Sequence, residues 1–406
     1  MRIPKQYAMV WLAVCGMIGA SLSLKNLAGL FFTPMEETFG VGRGAVSLTL
    51  TVNNLLLAAG EYVSPRIIRG DNFRVLTRAC ALCAVGATLL MGWAPNLAVM
   101  YALCALRGFA SGMLCIVLGT VVINNWFVRG NSIVTGVAMA AGGIGSALLS
   151  PLLARVIETA GWRAGYRAEA LVGLALYAPL ILLPVALRPE DRALTPLGGA
   201  RVQTEDAPGA ETAEAQRGGW RLPGVLLLVV SANAVSVFSS HMPGVAASFA
   251  LSASVGAAML SASMITNAGG KVLLGALSER FGVRRPAMVY AALIAAGMLF
   301  LLHARTATAA LLFGALEGLA FSLTTVVPAL VTKDVFGQAN YRRVFPLVML
   351  TGTLANASFA SLIGWSYDAA QSYRPAMLTL VALLALMLLL LLLLYGKKLV
   401  ESEKRG

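Results

Sequence analysis

Residues 265–285 read ITNAGGKVLLGALSERFGVRR, and the rest of the chain is organised around them. The stretch starts inside an apolar run and ends in a cationic turn. Ser263, Asn267, Lys271 and Gly275 are spaced four apart, so they share one helical face. A lysine fixed in hydrocarbon costs about 2.5–3.5 kcal/mol even on the modest scales, so it faces a polar cavity, a partner or the interface. The remaining sequence supplies the walls, the hinge and the far side of such a cavity.

Composition decides the class. The chain has 406 residues, 58% apolar and only 12% charged, with a mean hydropathy of +0.78. A soluble domain of this size has no use for so much apolar surface. Apolar runs of membrane-spanning length recur. They give twelve spans: 7–31, 44–65, 74–94, 97–123, 132–157, 166–187, 222–249, 253–277, 286–304, 307–332, 344–366 and 373–395. The first is too long for a cleavable signal and contains Lys25. The expected fold is therefore an all-α membrane protein of twelve transmembrane helices in two six-helix bundles. Residues 1–188 form the first bundle, 189–220 a cytoplasmic linker, and 221–406 the second bundle with a short tail.

The net charge of +13 is mostly topology rather than a nucleic-acid footprint. Of 31 Lys and Arg, 22 lie on or next to the side of the N-terminus, six on or next to the other, counting those at span ends with the nearer side, and Lys25, Arg107 and Lys271 lie well inside spans. That asymmetry puts both termini in the cytoplasm of a multi-pass inner-membrane protein. The five cysteines all fall within spans, where small apolar packing explains them better than redox chemistry, the Cys80–Cys83 spacing included. No phosphate loop, metal-ligand spacing or nucleophile–base pair is present to suggest an enzyme, a cofactor or a metal.

In chain order, Lys25 and Asn26 lie near the outer end of span one, where Lys25 either snorkels to the interface or points into a cavity. Asn53 and Asn54 fall mid-span in span two. Arg107 precedes Gly108 and Gly112 in span four, and either lines the cavity or pairs with an acid. Span five is rich in glycine and carries Pro151, which suits close packing and bending. Residues 188–219 are polar, without apolar period, and read as a largely flexible linker. Gly60-Glu-Tyr-Val-Ser-Pro-Arg66 after span two echoes Gly275-Ala-Leu-Ser-Glu-Arg280 after span eight, which suggests an internal repeat.

Gly275-Ala-Leu-Ser-Glu-Arg-Phe-Gly-Val-Arg-Arg285 resembles the loop motif between spans eight and nine of the major facilitator superfamily, and the resemblance extends over nearly the whole chain. It implies a conformational role for Gly275, Ser278, Glu279, Arg280, Gly282 and Arg284. The first-half copy has Pro65 where the family has an acid. A narrower likeness, to the monocarboxylate porter and oxalate/formate antiporter branch, rests on four pieces. They are Phe32-Thr-Pro-Met-Glu-Glu-Thr-Phe-Gly40 with Val46-Ser-Leu48, Asn125-Trp-Phe127 with the glycine run of span five, Gly161-Trp-Arg163, and Phe336-Gly337 leading to Asp368 and Tyr373. In that branch span eight often reads Asn-x-x-Gly-Arg-x-x-x-Gly, with the Arg on the substrate carboxylate. Here the frame is Asn267-Ala-Gly-Gly-Lys271-Val-Leu-Leu-Gly275, and Lys supplies charge without a bidentate fork. Lys25 is similar to the span-one lysine of monocarboxylate porters. Span eleven has Thr351, Thr353, Asn356 and Ser358 but lacks the lysine of oxalate-type members.

Among other ionisable residues inside spans, His241 and Glu317 are candidates for proton coupling, since a histidine titrates near neutral pH and a buried acid near it. The expected function is secondary transport of small organic anions, foremost monocarboxylates such as lactate or pyruvate, by alternating access with proton symport or anion exchange. Lys271, Asn267, Lys25, Arg107 and Asn356 are the candidate substrate contacts. The rival readings are dicarboxylate exchange, drug export and, more remotely, a non-transporting sensor. The expected partners are the anion, protons and lipid, and the chain is expected to act as a monomer. By these span limits Lys25 lies about 27 Å above the inner end of its span and Lys271 roughly 9 Å above its own, too uneven to clamp a small dicarboxylate.

Overall fold

The computed structural model describes residues 4–128, 131–199 and 220–403. Hydrocarbon leaves backbone groups no water to bind, so spanning segments close their own hydrogen bonds as helices. The helices are α1 Lys5–Asn26, α2 Phe32–Phe39, α3 Arg43–Ile67, α4 Phe73–Met91, α5 Leu97–Met113, α6 Ile116–Trp126, α7 Asn131–Leu182, α8 Arg221–Ser236, α9 Met242–Ser248, α10 Ala253–Phe281, α11 Arg284–His303, α12 Ala307–Glu317, α13 Ala320–Ala370 and α14 Arg374–Glu403. The chain divides into two compact units, Met1–Val41 with Ala45–Glu205, and Gly42–Gly44 with Asp206–Gly406.

The twelve spans map onto these helices with four interruptions and two fusions. Span one is α1 and α2 joined by the 3-10 turn Ala28–Phe31, and span seven is α8 and α9 joined by Val237–His241. Span four breaks between α5 and α6, and span ten between α12 and α13. Spans five and six run together as α7 through a kink at Gly161, whose φ of 79° an L side chain rarely adopts. Gly337, with φ 76°, plays the same part in α13.

The two units repeat with one offset. Asn26 Nδ2 bonds Ser146 Oγ at 3.2 Å in the first unit, and Asn356 Nδ2 bonds Ser236 Oγ at 3.3 Å in the second, so 26 matches 236 and 146 matches 356. Left-handed residues recur in the same register, Gly40 with Ala250 and Gly161 with Gln371. Gly108 lies on the Asn53 backbone as Gly318 lies on that of Ser263. Each pair is 210 residues apart. Glycine at these crossings lets two helix backbones touch.

This register corrects the echo read from the loop motifs. A Cβ on Gly60 would strike the Phe109 carbonyl and the Met113 backbone, while one on Gly275 would meet nothing within 4 Å. The partner of Gly60 is Gly270, which faces Leu319 and Ser322 at 3.1 Å. Gly60 is a packing residue inside α3 rather than a loop residue, and Glu61 therefore corresponds to Lys271.

The linker reading also changes at its start. Residues 189–199 lie against the first unit: Leu197 exchanges backbone bonds with Trp126 and Val128 at 2.9 Å, and Tyr7 Oη donates to Thr195 O at 2.6 Å. Trp126, Phe127 and Leu197 bury apolar surface there, which offsets the ordering of a polar chain. Residues 200–219 lie outside the described residues.

Candidate functional site

In the second unit, α10 carries the polar face drawn from the sequence, and burial grades along it. Ser263 and Asn267 are buried, Lys271 is half-buried, and Gly275 faces open space. Ser263 Oγ donates to Glu317 Oε2 at 2.8 Å, while the buried Glu317 Oε1 has no hydrogen-bond partner among the described residues. Glu317 thus joins α12 to α10. One helical turn on, the buried Asn267 Oδ1 has no hydrogen-bond partner among the described residues. The next turn carries Lys271, whose ammonium makes no hydrogen bond or ion pair among the described residues. Gly270 O accepts from Tyr290 Oη at 3.0 Å, which fixes this part of α10 against α11. A cation without a paired anion is the arrangement an anion completes, whereas the unpartnered Asn267 carbonyl calls for a donor.

Lys271 lies deeper than the sequence boundaries placed it. The helix continues to Phe281 rather than 277, which puts Lys271 about 15 Å from that end. Lys25 shifts more. Its helical column runs Lys5–Phe39, eight residues past the expected end, so Lys25 lies near the middle of its span rather than near the outer end.

His241 and Asn356 join α13 to span seven. His241 is buried, with Nε2 at 2.9 Å from Ala360 O and the Tyr373 ring at 5.9 Å. Asn356 donates to Ser236 at the end of α8. The tripeptide Gly42–Gly44 belongs to this unit: the backbone N–H groups of Arg43 and Gly44 donate to the Asp368 carboxylate at 2.6 and 2.7 Å, and the Arg43 guanidinium bonds Tyr373 Oη. The loop motif forms the mouth of a cavity of about 430 Å³ lined by Arg280, Gly282, Arg284, Asp334 and Tyr395. Glu279 is exposed beside it, and Ser278 is buried. Gly282, at φ 73°, supplies the turn that only glycine adopts without strain.

In the first unit Arg107 has its own acid. Its Nη1 lies 3.3 Å from Glu169 Oε1, and its Nε donates to Asn53 Oδ1 at 3.1 Å, with both charged side chains buried. Arg107 and Glu317 hold the same helix crossing in the two units, one through Asn53 and the other through Ser263. The sequence reading named no partner for Arg107. Glu169 is visible there as an acid in span six, and Glu61 as an acid next to a glycine in span two.

Two six-helix repeats, with broken spans where the polar side chains gather, are the architecture of a secondary carrier. The chain belongs to the major facilitator superfamily, whose model matches residues 13–222 and 224–406, and it is a multi-pass membrane transporter. It is 25% identical over 175 residues to an uncharacterised MFS-type transporter, YcxA, of Bacillus subtilis (strain 168), an alignment spanning 43% of each chain. Its fold is similar to that of a bacterial homologue of the human lysosomal transporter Spinster, with a TM-score of 0.75 at 14% identity over 98% of both chains. A point mutant of the nucleoside transporter NupG gives 0.67 at 14% identity over 95% of this chain and 99% of that one.

Proposed function

We propose that the protein carries small organic anions, foremost monocarboxylates, across the inner membrane by alternating access, with both termini cytoplasmic. The observation that carries this reading is Lys271: an ammonium half-buried in the membrane, without an anion, one turn from the unpartnered Asn267 carbonyl. A carboxylate bound there neutralises the lysine. Asn267 is an amide, and an Asn amide turned about its last bond presents N–H to the same carboxylate. Lys25 is another cation inside a span that has no ion pair among the described residues, and it serves the same anion class. Arg107 is held by Glu169, which favours a structural part for it, and Asn356, His241 and Glu317 anchor helices around the candidate site.

The test is thermal stabilisation of purified protein by acetate, lactate and pyruvate, set against sugars and amines, because a ligand of the folded state raises its melting temperature by mass action. Lys271→Gln is expected to remain folded and monodisperse and to lose the carboxylate-dependent shift. An unchanged shift in that variant refutes the assignment.

A further inference from the structure

The cavity of about 430 Å³ in the second unit opens where α10 ends and α11 begins, beside Asp334 of α13 and Tyr395 of α14. Its charged lining is Arg280, Arg284, Arg285 and Asp334, a surplus of two positive charges. Tyr395 Oη donates to Asp334 Oδ2 at 2.9 Å, so the acid of the lining already has a partner within the wall. The three guanidinium groups form no hydrogen bond and no ion pair among the described residues. Arginines elsewhere find acceptors: Arg66 bonds the Tyr62 carbonyl, Arg74 the Val185 carbonyl and Arg107 the Glu169 carboxylate. Three cations lining one space, with a single acid turned to a tyrosine, attract an anion. α11 begins at Arg284, and the positive end of a twenty-residue helix adds to the same field.

The surroundings say what carries that anion. Phe281, exposed, and Tyr395 line the cavity, and aromatic side chains mark the membrane–water boundary. From Arg285 the same face of α11 continues as Val289, Leu293 and Phe300, all exposed. On α14, which packs against α11, Leu389, Leu392 and Leu393 are exposed in the turns before Tyr395. Exposed apolar rows on spanning helices are solvated by acyl chains. We infer that the cavity holds the phosphate of an anionic phospholipid, with its acyl chains along the exposed faces of α11 and α14. Arginine suits a phosphodiester because its planar fork donates two parallel hydrogen bonds to two phosphate oxygens. Basic pockets at span ends take lipid head groups in this way. A free phosphate satisfies the arginines but has no use for the apolar rows. The leaflet is the cytoplasmic one in the proposed topology, and the site is independent of which substrate the carrier moves.

The experiment is native mass spectrometry of the full-length protein in detergent, titrated with phosphatidylglycerol and, separately, with phosphatidylcholine of the same chains. Wild type is expected to retain phosphatidylglycerol in clear preference. Arg285→Gln is expected to weaken that retention about fivefold, the usual contribution of one arginine near an anionic head group, and Arg280→Gln with Arg284→Gln and Arg285→Gln about a hundredfold. Retention of phosphatidylcholine is expected to stay as it is. Arg69→Gln, an exposed arginine of the first unit, is the control for diffuse charge and is expected to change retention less than about twofold. Equal retention of the two lipids by wild type, or undiminished phosphatidylglycerol on the triple variant, overturns the inference. A loss in Arg69→Gln as large as that in Arg285→Gln overturns it too, since diffuse charge then holds the lipid. If the triple variant does not fold, Arg285→Gln decides, and unchanged retention in it overturns the inference. Inorganic phosphate and glycerol phosphate, offered in large excess, are expected to leave the lipid in place; displacement by either overturns the lipid assignment in favour of a soluble phosphate.

Discussion

Replacing Glu169 alone, and then together with Arg107, separates a structural ion pair from a substrate contact. Arg107 Nη1 and Glu169 Oε1 are 3.3 Å apart, with side-chain exposures of 6% and 1%. At an effective dielectric of about 20, Coulomb's law gives roughly 5 kcal/mol of attraction at that distance, set against several kcal/mol of desolvation per ion. Glu169→Leu keeps the desolvation of Arg107 and removes its compensation, an expected loss of about 3–5 kcal/mol. Arg107→Leu with Glu169→Leu removes both charges. The leucine that replaces Glu169 borders an apolar cavity of about 190 Å³ lined by Leu24, Leu27, Leu153 and Val172, so it has room. Asn53 loses its partner in the double variant, which costs about 1–3 kcal/mol. The double variant is therefore expected to be more stable than the Glu169→Leu single. The assay is tryptophan-fluorescence unfolding in detergent. At about 2–4 °C per kcal/mol, the single variant melts on the order of 10 °C below wild type, and the double recovers part of that. A single variant within about 1 °C of wild type, or a double variant no more stable than the single, refutes the structural assignment of this pair.

Gly108→Val and Gly318→Val are each expected to cost about 1–3 kcal/mol, because the new side chain meets the Asn53 or Ser263 backbone, which has no free end to swing aside; equal melting temperatures for either variant and wild type count against the 210-residue register. Replacing residues 200–219 with a Gly/Ser segment of equal length is expected to hold transport within a few-fold, whereas Leu197→Pro, which removes the N–H donated to Trp126 O, is expected to lower the melting temperature of the first unit; the reverse pattern in transport and unfolding assays refutes the division. In a competition series of acetate, lactate, pyruvate, oxalate, malonate and succinate, the monocarboxylates are expected to compete best, because Val344–Ala370 holds no cation apart from what residues 342–343 bring before it; tighter oxalate or malonate binding refutes this and makes Lys25 a second anchor.

The fold was legible because hydrocarbon imposes a simple rule, and runs of apolar residues report it directly. The α3 and α10 helices form where the sequence places spans two and eight, although with Asn53, Glu61, Asn267 and Lys271 they are not among the nine helical columns of the described residues that are long and apolar enough to cross a membrane. Depth was less legible. Span one has no polar boundary at residue 31, and the helical column passes through Pro34 and two glutamates to Gly40, because a short 3-10 turn leaves the column unbroken there. The site was legible on α10, where spacing alone puts Asn267 and Lys271 on one face. Arg107 was visible, but its acid was 62 residues away in another span, and only packing brings the two together. Glu61 was hidden by a plausible motif match: Gly60 and Arg66 fit a loop pattern, while the structure uses Gly60 to bring α3 against α5.

The repeat turns these separate observations into one argument. Where the two units carry the same contact at matching positions, as in the Asn26–Ser146 and Ser236–Asn356 bonds, the contact holds two helices and tolerates exchange of donor and acceptor. At the paired glycine crossings the adjacent residue carries opposite charge, Arg107 in one unit and Glu317 in the other. Each is buried and bonded to the helix it crosses, so the sign of the charge there is a matter of local partners. Glu61 and Lys271 also differ in charge at matching positions, but neither is locked in an ion pair among the described residues, and both are only half-buried. A buried charge that has a close partner stabilises one structure. A half-buried charge kept from a partner costs free energy in the resting protein and is retained where a mobile ion completes it. On the proposed anion reading the positions to mutate for substrate are Lys271, its neighbour Asn267, and Lys25, and Arg107, Glu317, His241 and Asn356 are the positions whose loss is read in stability.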